Sequence, residues 1–451
     1  MRQRFLSALV VIACCAGAGW SQQKVEDFPV PTDNPVRHQQ VLELIEQNQP
    51  PRARKEDPNG LLLLRQLGES VKAESDRMRE AKDPSWPVEF DALSGYKKDA
   101  TPAEIAGAQA MLKTYERMGV FDTLESIAKS QRAVRPKGEG LMLSLVIPEA
   151  GHARGLTRAL MARFTVQLQA GDKQGAMRSH EQALALGRVL AHQPLMIDRQ
   201  VAIAVVARAN FTLRQAILEG RLDASMLEAA AGAMDRQLTG WPGARFILDA
   251  ERLATVDAAE FVYVDENAPN AARLEAIGAM LINRVQAQDP GVLSLTKVRQ
   301  NIDAYYSLAT QAAEEPRRTR MDLQLVSGAG YKAGERSVLL RVVLPDVTRL
   351  IKAMDQWQLD VQATRTMIAL ERYHLRTKTY PATLRELVPR ELDALPEERS
   401  QAWPLTYRRE GSTYRLYSVG FDNNDNGGTT DPANPFKALT PDGVALDCTF
   451  R

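Results

Sequence analysis

The chain has 451 residues, 44% of them hydrophobic and 25% charged, with a formal net charge of +1. These values allow a sizeable core spread over roughly two or three domains. The near-zero charge excludes a global field that would draw the protein to nucleic acid, and the short basic runs at 129–137 and 317–320 carry no interleaved aromatic residues for base stacking, so they read as solvated charge.

Residues 1–23 have the pattern of a signal peptide. Arg2 and Arg4 precede an apolar run, Phe5 to Ala13, that is too short for an ordinary membrane helix, and small residues follow from Ala16 to Gly19. Two processing routes stay open. Ala16-x-Ala18 fits a signal peptidase site, with Ser21 as another, whereas Val11-Ile12-Ala13-Cys14 resembles a bacterial lipobox in which Cys14 would carry the lipid. Either route implies an extracytoplasmic location, in the periplasm, on the outer surface or secreted, and only the lipid on Cys14 would bring the mature chain to a membrane. The cysteines are Cys14, Cys15 and Cys448; cleavage after Ala18 leaves Cys448 alone, without an intramolecular disulfide. No other stretch reads as long and apolar enough to cross a bilayer.

Residues 24–60 are rich in Pro, Gln, Asn and charge and read as an extended or mobile tether with one short helical candidate, Gln39 to Glu46. A helical domain is expected over 61–343. Apolar residues recur there at three and four spacings, predicting helices near 61–81, 102–131, 149–170, 173–192, 196–219, 223–238, 243–265, 270–287 and 293–315. Thr101-Pro102-Ala103-Glu104 supplies a cap, a first-turn proline and a capping-box acid, while Gly171-Asp172 and Gly220 separate helices. The segment Ala170-Gly171-Asp172-Lys173-Gln174-Gly175-Ala176, with Ala183 beyond it, resembles the second half of a tetratricopeptide repeat. Without a strict period, this implies an irregular tetratricopeptide-like stack of antiparallel helices, which either binds a peptide or protein on a concave face or simply packs on itself. Ser327-Gly328-Ala329-Gly330 lacks the Lys-Ser/Thr of a phosphate loop and reads as a plain loop.

The character changes near Pro345, and a small α+β module is expected over 344–451. Val347, Leu350, Met354, Trp357, Val361, Ile368 and Leu375 form one sustained stripe, so a single long amphipathic helix is predicted, with Lys352, Asp360, Arg365 and Arg372 on its polar face. Pro381 prevents its continuation. Leu405 and Tyr407, then Tyr414 and Leu416, alternate with polar residues about the turn Glu410-Gly411-Ser412, which predicts a hairpin. Val444, Leu446, Cys448 and Phe450 share one face of a last strand, making Cys448 a core residue. The fold class expected is therefore mainly α, with a long helix and an antiparallel sheet at the end.

The order Leu370-Glu371-Arg372-Tyr373, Tyr380-Pro381, Leu395-Pro396, Pro404-Leu405-Thr406-Tyr407 and Tyr417-Ser418-Val419-Gly420, followed by an Asp/Asn/Gly loop, resembles the C-terminal domain of type II secretion major pseudopilins. The chain departs from that family in having no hydrophobic polymerising helix at the start of the module, and in place of an Asp-Pro-Trp stretch it has Glu397, Glu398, Arg399 and Ser400 before Trp403. The whole chain also resembles exported bacterial proteins with a helical body before this module, which implies no activity.

Asp422-Asn423-Asn424-Asp425-Asn426-Gly427 fits Asp-x-Asn-x-Asn-Gly, in which Asp422, Asn424 and Asn426 are spaced to offer oxygens to calcium and Asp425 or Asp431 would complete the set. Position twelve of a helix-flanked loop is Ala433 rather than Glu, which excludes an EF-hand. The pseudopilin resemblance implies calcium in another geometry; the plain reading is a polar turn.

Little points to catalysis. His38, His152, His180, His192 and His374 form no metal-binding pair and read as surface or partly buried helix residues. Gly-x-Ser-x-Gly is absent. Glu251, Asp257 and Glu260, with Asp265 and Glu266 beyond, read as a solvated acidic face. The sequence thus suggests a non-catalytic extracytoplasmic scaffold or interaction protein whose partner is a protein or envelope component. Its alternatives are a hydrolase of envelope polymers using carboxylates in a helical groove, and an accessory of a type II secretion-like system.

Overall fold

The three- and four-residue spacing of apolar side chains is realised as a succession of helices. A computed structural model describes residues 34–50, 53–83, 88–136, 141–142, 147–282, 293–315, 320–395, 405–419, 425–428 and 448–450. The signal-like segment 1–23 and residues 24–33 lie outside these.

The first described helix, α1 (Pro35–Gln47), contains the helical candidate Gln39 to Glu46 and corrects the expectation of an extended tether only for the residues around it. Asn34 caps it, Val41 and Ile45 are buried, and Arg37 forms a two-pronged pair with Glu260 at 3.1 and 2.5 Å. One buried apolar edge and one bidentate pair dock this segment on the body.

Next come α2 (Gly60–Glu80), α3 (Pro102–Arg117), α4 (Val120–Lys129), α5 (Pro148–Gln169), α6 (Lys173–Ala191), α7 (Met196–Leu218) and α8 (Ala224–Thr239). The Thr101–Glu104 capping box forms as the sequence predicts. The helix expected over 102–131 is two helices, because Gly119 adopts a left-handed conformation with φ 69°. Consecutive helices joined by short turns pack as antiparallel neighbours. Alternate helices also touch, α4 with α6 and α6 with α8 on one side, α5 with α7 on the other. The result is a two-layered helical stack. Gly187 permits a close approach in it: a Cβ there would lie 2.6 Å from Val206 Cγ2 of α7.

The helix expected over 243–265 ends earlier, as α9 (Ala244–Val262), and runs into a two-stranded ribbon of β1 (Tyr263–Asp265) and β2 (Ala268–Pro269). There follow α10 (Ala271–Ile282), α11 (Leu295–Glu314), α12 (Arg320–Arg336), α13 (Val338–Val343) and α14 (Thr348–Thr377). Ser327 to Gly330, expected as a loop, lies inside α12. Gly330 serves packing: a Cβ there would come 3.0 Å from Tyr305 Cε2 of α11.

The long helix predicted from Val347 is present as the 30 residues of α14. It belongs to both halves of the molecule. Leu350 and Ile351 join a core built from α1 and α9 to α13, whereas Trp357, Val361, Met367 and Ile368 join a core built from α2 to α8. Asp360, expected on the polar face, is buried against α7. There its Oδ1 accepts from Arg214 at 2.7 Å and its Oδ2 from Asn210 at 2.7 Å. α7 meets the length and composition of a membrane span, contrary to the sequence reading, yet it is a core helix of this stack with Asp198, Arg199, Asn210 and Arg214 all buried.

β3 (Thr406–Glu410) and β4 (Thr413–Ser418) form the predicted hairpin about Gly411-Ser412, with Gly411 at φ 64°. β5 (Cys448–Thr449) adds to β4 antiparallel, giving the order β3-β4-β5. Tyr414, Leu416 and Phe450 join the same core as most of α14. Val444, Leu446 and the Cys448 side chain lie outside the described residues.

Candidate functional site

Of the five predicted calcium donors, Asp422, Asn424 and Asp431 lie outside the described residues. Asp425 and Asn426 sit where Gly427 and Gly428 turn the chain with φ of 70° and 80°. Asp425 Oδ1 accepts from the Gly427 amide at 2.8 Å and from the Tyr417 hydroxyl at 2.9 Å. These bonds hold its carboxyl below the usual range. Arg415 donates to the Gly427 carbonyl at 2.9 Å, so the turn is tied to β4. Among the described residues no three His, Cys, Asp or Glu side chains gather as a metal-holding group.

Of the acids expected on a solvated face, Asp265 and Glu266 are exposed, Glu260 is half-buried, and the expectation is corrected for Glu251 and Asp257. Glu251 and Asp257 are buried. Glu251 Oε1 accepts from the Met196 amide at 2.5 Å, and burial pushes its carboxyl up to about 7. Asp257 Oδ2 accepts from the Met142 amide at 3.0 Å, and burial raises it too. At Glu260 burial is outweighed by Arg37 and Arg299, leaving the carboxyl below its ordinary value. Asp265 and Glu266 accept from the amides of Asn267 and Thr296. Each acid therefore secures a loop or an arginine. The neighbouring cavity, lined by His38, Arg135, Met142 and Ala250, holds about 40 Å³, room for about one water and too small for a sugar ring.

Three of the five histidines are more buried than expected, while His152 and His374 are partly buried as the sequence suggests. His38, His180 and His192 are all inside, and burial brings His180 and His192 down to about 4. His152 fills the space left by Gly68, while His374 stacks on Tyr380 with ring centres 4.4 Å apart.

The arrangement best suited to a ligand is a groove on the α4–α6–α8 side of the stack, for which sequence reasoning named no residue. A cavity of about 230 Å³ is lined by Glu125 of α4, Arg178, Gln182 and Arg188 of α6, Gln237 of α8, and Trp241 in the following turn. Trp241 also lines an adjoining cavity of about 160 Å³ with Met354, Trp357 and Gln358 of α14. The two indoles stack, centroids 4.3 Å apart and planes at 13°. Arg188 donates at 2.8 Å to the carbonyls of Ala128 and Ser130, closing the C-terminus of α4 at the groove wall. Gln182 Nε2 donates to Glu125 Oε2 at 3.0 Å, and this bond is the first cause of the lowered Glu125 carboxyl.

Four polar atoms of this groove are buried without a hydrogen-bond partner among the described residues: Gln182 Oε1, Gln237 Oε1, Trp241 Nε1 and Trp357 Nε1. Gln182, Gln237 and Trp357 are 4%, 6% and 8% exposed. Leaving such a group unmet costs about 1–3 kcal/mol, and all four belong to side chains that line the two cavities. The sequence held one usable signal, since Gln237 continues the Ala230, Met234 stripe of α8 and is a polar residue on an apolar face.

No family model, curated protein or solved structure matches the chain.

Proposed function

We propose that the protein is a non-catalytic extracytoplasmic binding protein whose helical stack holds an extended peptide segment of an envelope protein in the groove around Trp241. The observation that carries this reading is the set of two unpaired carbonyl oxygens and two unpaired indole N–H groups lining the two joined cavities. An extended peptide offers an N–H and a C=O at every residue, which is the complement such a set requires. Stacked indoles provide apolar contact area at little cost in side-chain freedom. The location rests on the 1–23 pattern.

Calcium at the Asp422–Asp431 turn belongs to the same proposal. Asp422, Asn424, Asp425, Asn426 and Asp431 are all hard oxygen donors, the chemistry calcium takes, and the ion would serve to order the turn beside β4. Kinship with a type II secretion accessory rests on the sequence resemblance of residues 344–451 alone. Weighing against the hydrolase alternative, Asp257 and Glu251 accept from backbone amides and Glu260 pairs with Arg37.

The test is photo-crosslinking in the cell envelope from a probe at Arg178, in the groove, and from a control probe at the exposed Glu80. The reading expects a polypeptide captured from position 178, not from 80, and lost when Gln182→Ala and Gln237→Ala are combined. Equal capture from both positions, or capture indifferent to the glutamines, would refute it.

A further inference from the structure

A second cleft, sharing no residue with the groove, opens on the α5–α7 side of the stack. It holds about 250 Å³ and is lined by Asp91 and Tyr96 from the segment before α3, by Arg154, Thr157 and Arg158 of α5, and by Ala204, Val205 and Arg208 of α7. Three guanidinium groups thus face one carboxylate. Arg154 and Arg158 are one helical turn apart, so their side chains leave the same face of α5.

The three arginines are not equivalent. Arg208 is fixed: it pairs with Asp91 and lies over the Tyr96 ring at 3.8 Å from its centroid, and that ring in turn packs on Phe211 at 4.4 Å. Its Nε is buried with no partner among the described residues. Arg154 and Arg158 meet no carboxylate, carbonyl or ring among the described residues. Most of the described arginines do, including Arg37, Arg132, Arg135, Arg188, Arg199 and Arg214. The nearby Lys97 is already neutralised by Glu89 and Glu104 at 2.6 Å each. Positive charge in excess of its counter-charge is therefore concentrated in a concave space whose one wall is rigid.

We propose that this cleft binds a phosphate monoester group, gripped by the Arg154 and Arg158 guanidinium groups against the Arg208–Tyr96 wall. The planar fork of arginine matches the paired oxygens of a phosphoryl group, and a dianion is the charge that two unpaired guanidinium groups balance. A helical-stack protein outside the cytoplasm could meet such a group on a soluble ester or on a lipid headgroup. Both present the same oxyanion.

Calorimetric titration of the full chain with glycerol 3-phosphate, and sedimentation with phosphatidylcholine vesicles with and without phosphatidic acid, test the proposal at constant ionic strength. The parent is expected to bind the ester, or the phosphatidic acid vesicles, where chloride does not compete. Arg154→Gln/Arg158→Gln is expected to weaken binding by about a hundredfold or more, from roughly 1.5–3 kcal/mol per charge-assisted contact. Neither side chain supports another residue, so the variant should keep the helical circular dichroism of the parent. Arg385→Gln, an exposed arginine elsewhere, controls for charge and should bind as the parent does. Ester binding lost in the double variant supports a soluble ligand, and vesicle binding alone, lost in the same way, supports a headgroup. Binding of neither probe, binding retained in the double variant, or an equal loss in Arg385→Gln would overturn the site.

Discussion

Removing the Asp360 carboxylate tests whether the C-terminal helix is welded to the stack. In Asp360→Ala, Arg214 keeps Thr364 Oγ1 at 2.7 Å but loses its carboxylate, and Asn210 loses its acceptor. Arg214 is 3% exposed and Asp360 5% at their side chains, so water cannot readily replace the lost partner. Two unit charges about 4 Å apart in an effective dielectric of about 20 attract by about 4 kcal/mol, and breaking one side of a buried pair costs about 3–5 kcal/mol. The two routes agree on a loss near 4 kcal/mol. Native-state hydrogen exchange reads it directly. Peptides from the middle of α14 and from the second half of α7 should exchange several hundredfold faster, at about 1.4 kcal/mol per tenfold. Arg214→Met combined with Asp360→Leu removes both charges at similar volume and should recover most of the protection, because a buried pair gains little over apolar packing. Exchange within threefold of the parent in Asp360→Ala, or a double variant no better than the single one, would refute the reasoning.

Glu251→Gln keeps an acceptor for the Met196 amide and removes an ionisation. The folded carboxyl is raised to about 7, so the native state holds its proton longer than the unfolded chain. Stability from this group is intact below the unfolded value and lost as pH rises to about 7, a penalty on the order of 3 kcal/mol once ionised. Urea unfolding should find the variant increasingly favoured over the parent as pH rises through that window; a difference that does not change with pH sinks the assignment. His180 and His192 act in the opposite sense, their folded values depressed to about 4, so their contribution is lost as pH falls from the ordinary histidine range toward about 4. Gly187→Ala forces a methyl toward the stiff Val206 side chain and should cost about 1–3 kcal/mol, seen as a lower urea midpoint with unchanged slope; a midpoint equal to the parent's would mean α6 and α7 have room to spare. Chelation should lower the melting temperature if the Asp422–Asp431 turn holds calcium, by mass action on the folded state, and identical melting in chelator and in excess calcium rejects a stabilising ion.

The parts legible in the sequence were those set by periodicity and by turn chemistry. The stripe from Val347 gave α14 nearly to its ends, and alternation about Gly411 gave the hairpin with the correct turn. The capping box at Thr101 formed as written. Misreadings occurred where a residue's role depends on a distant neighbour. Gly119 inside an apolar pattern broke a helix, yet Gly330 inside a glycine-rich run did not, because the first takes positive φ and the second makes room for Tyr305. Residues 34–50 read as part of a tether because the surfaces that bury Val41 and pair Arg37 come from α9, more than two hundred residues along the chain.

The same limit explains why the candidate site stayed hidden. One-dimensional pattern assigns every Asp, Asn or Gln on a helix to the solvent side, and Asp360, Asn210, Gln182 and Gln237 are all exceptions. Only the structure separates them into two kinds. Asp360 has both oxygens met, by Asn210 Nδ2 and by Arg214 across the α7–α14 seam, so its burial is repaid within the fold and gives no reason to expect a ligand. Gln182 and Gln237 each keep a carbonyl unmet beside a cavity they share with Trp241, and Trp241 and Trp357, which line the adjoining cavity, each keep an indole N–H unmet. Four such atoms on side chains that line two cavities sharing Trp241 carry an unmet cost, and that asymmetry with the fully paired Asp360 is the physical ground for proposing function in the groove.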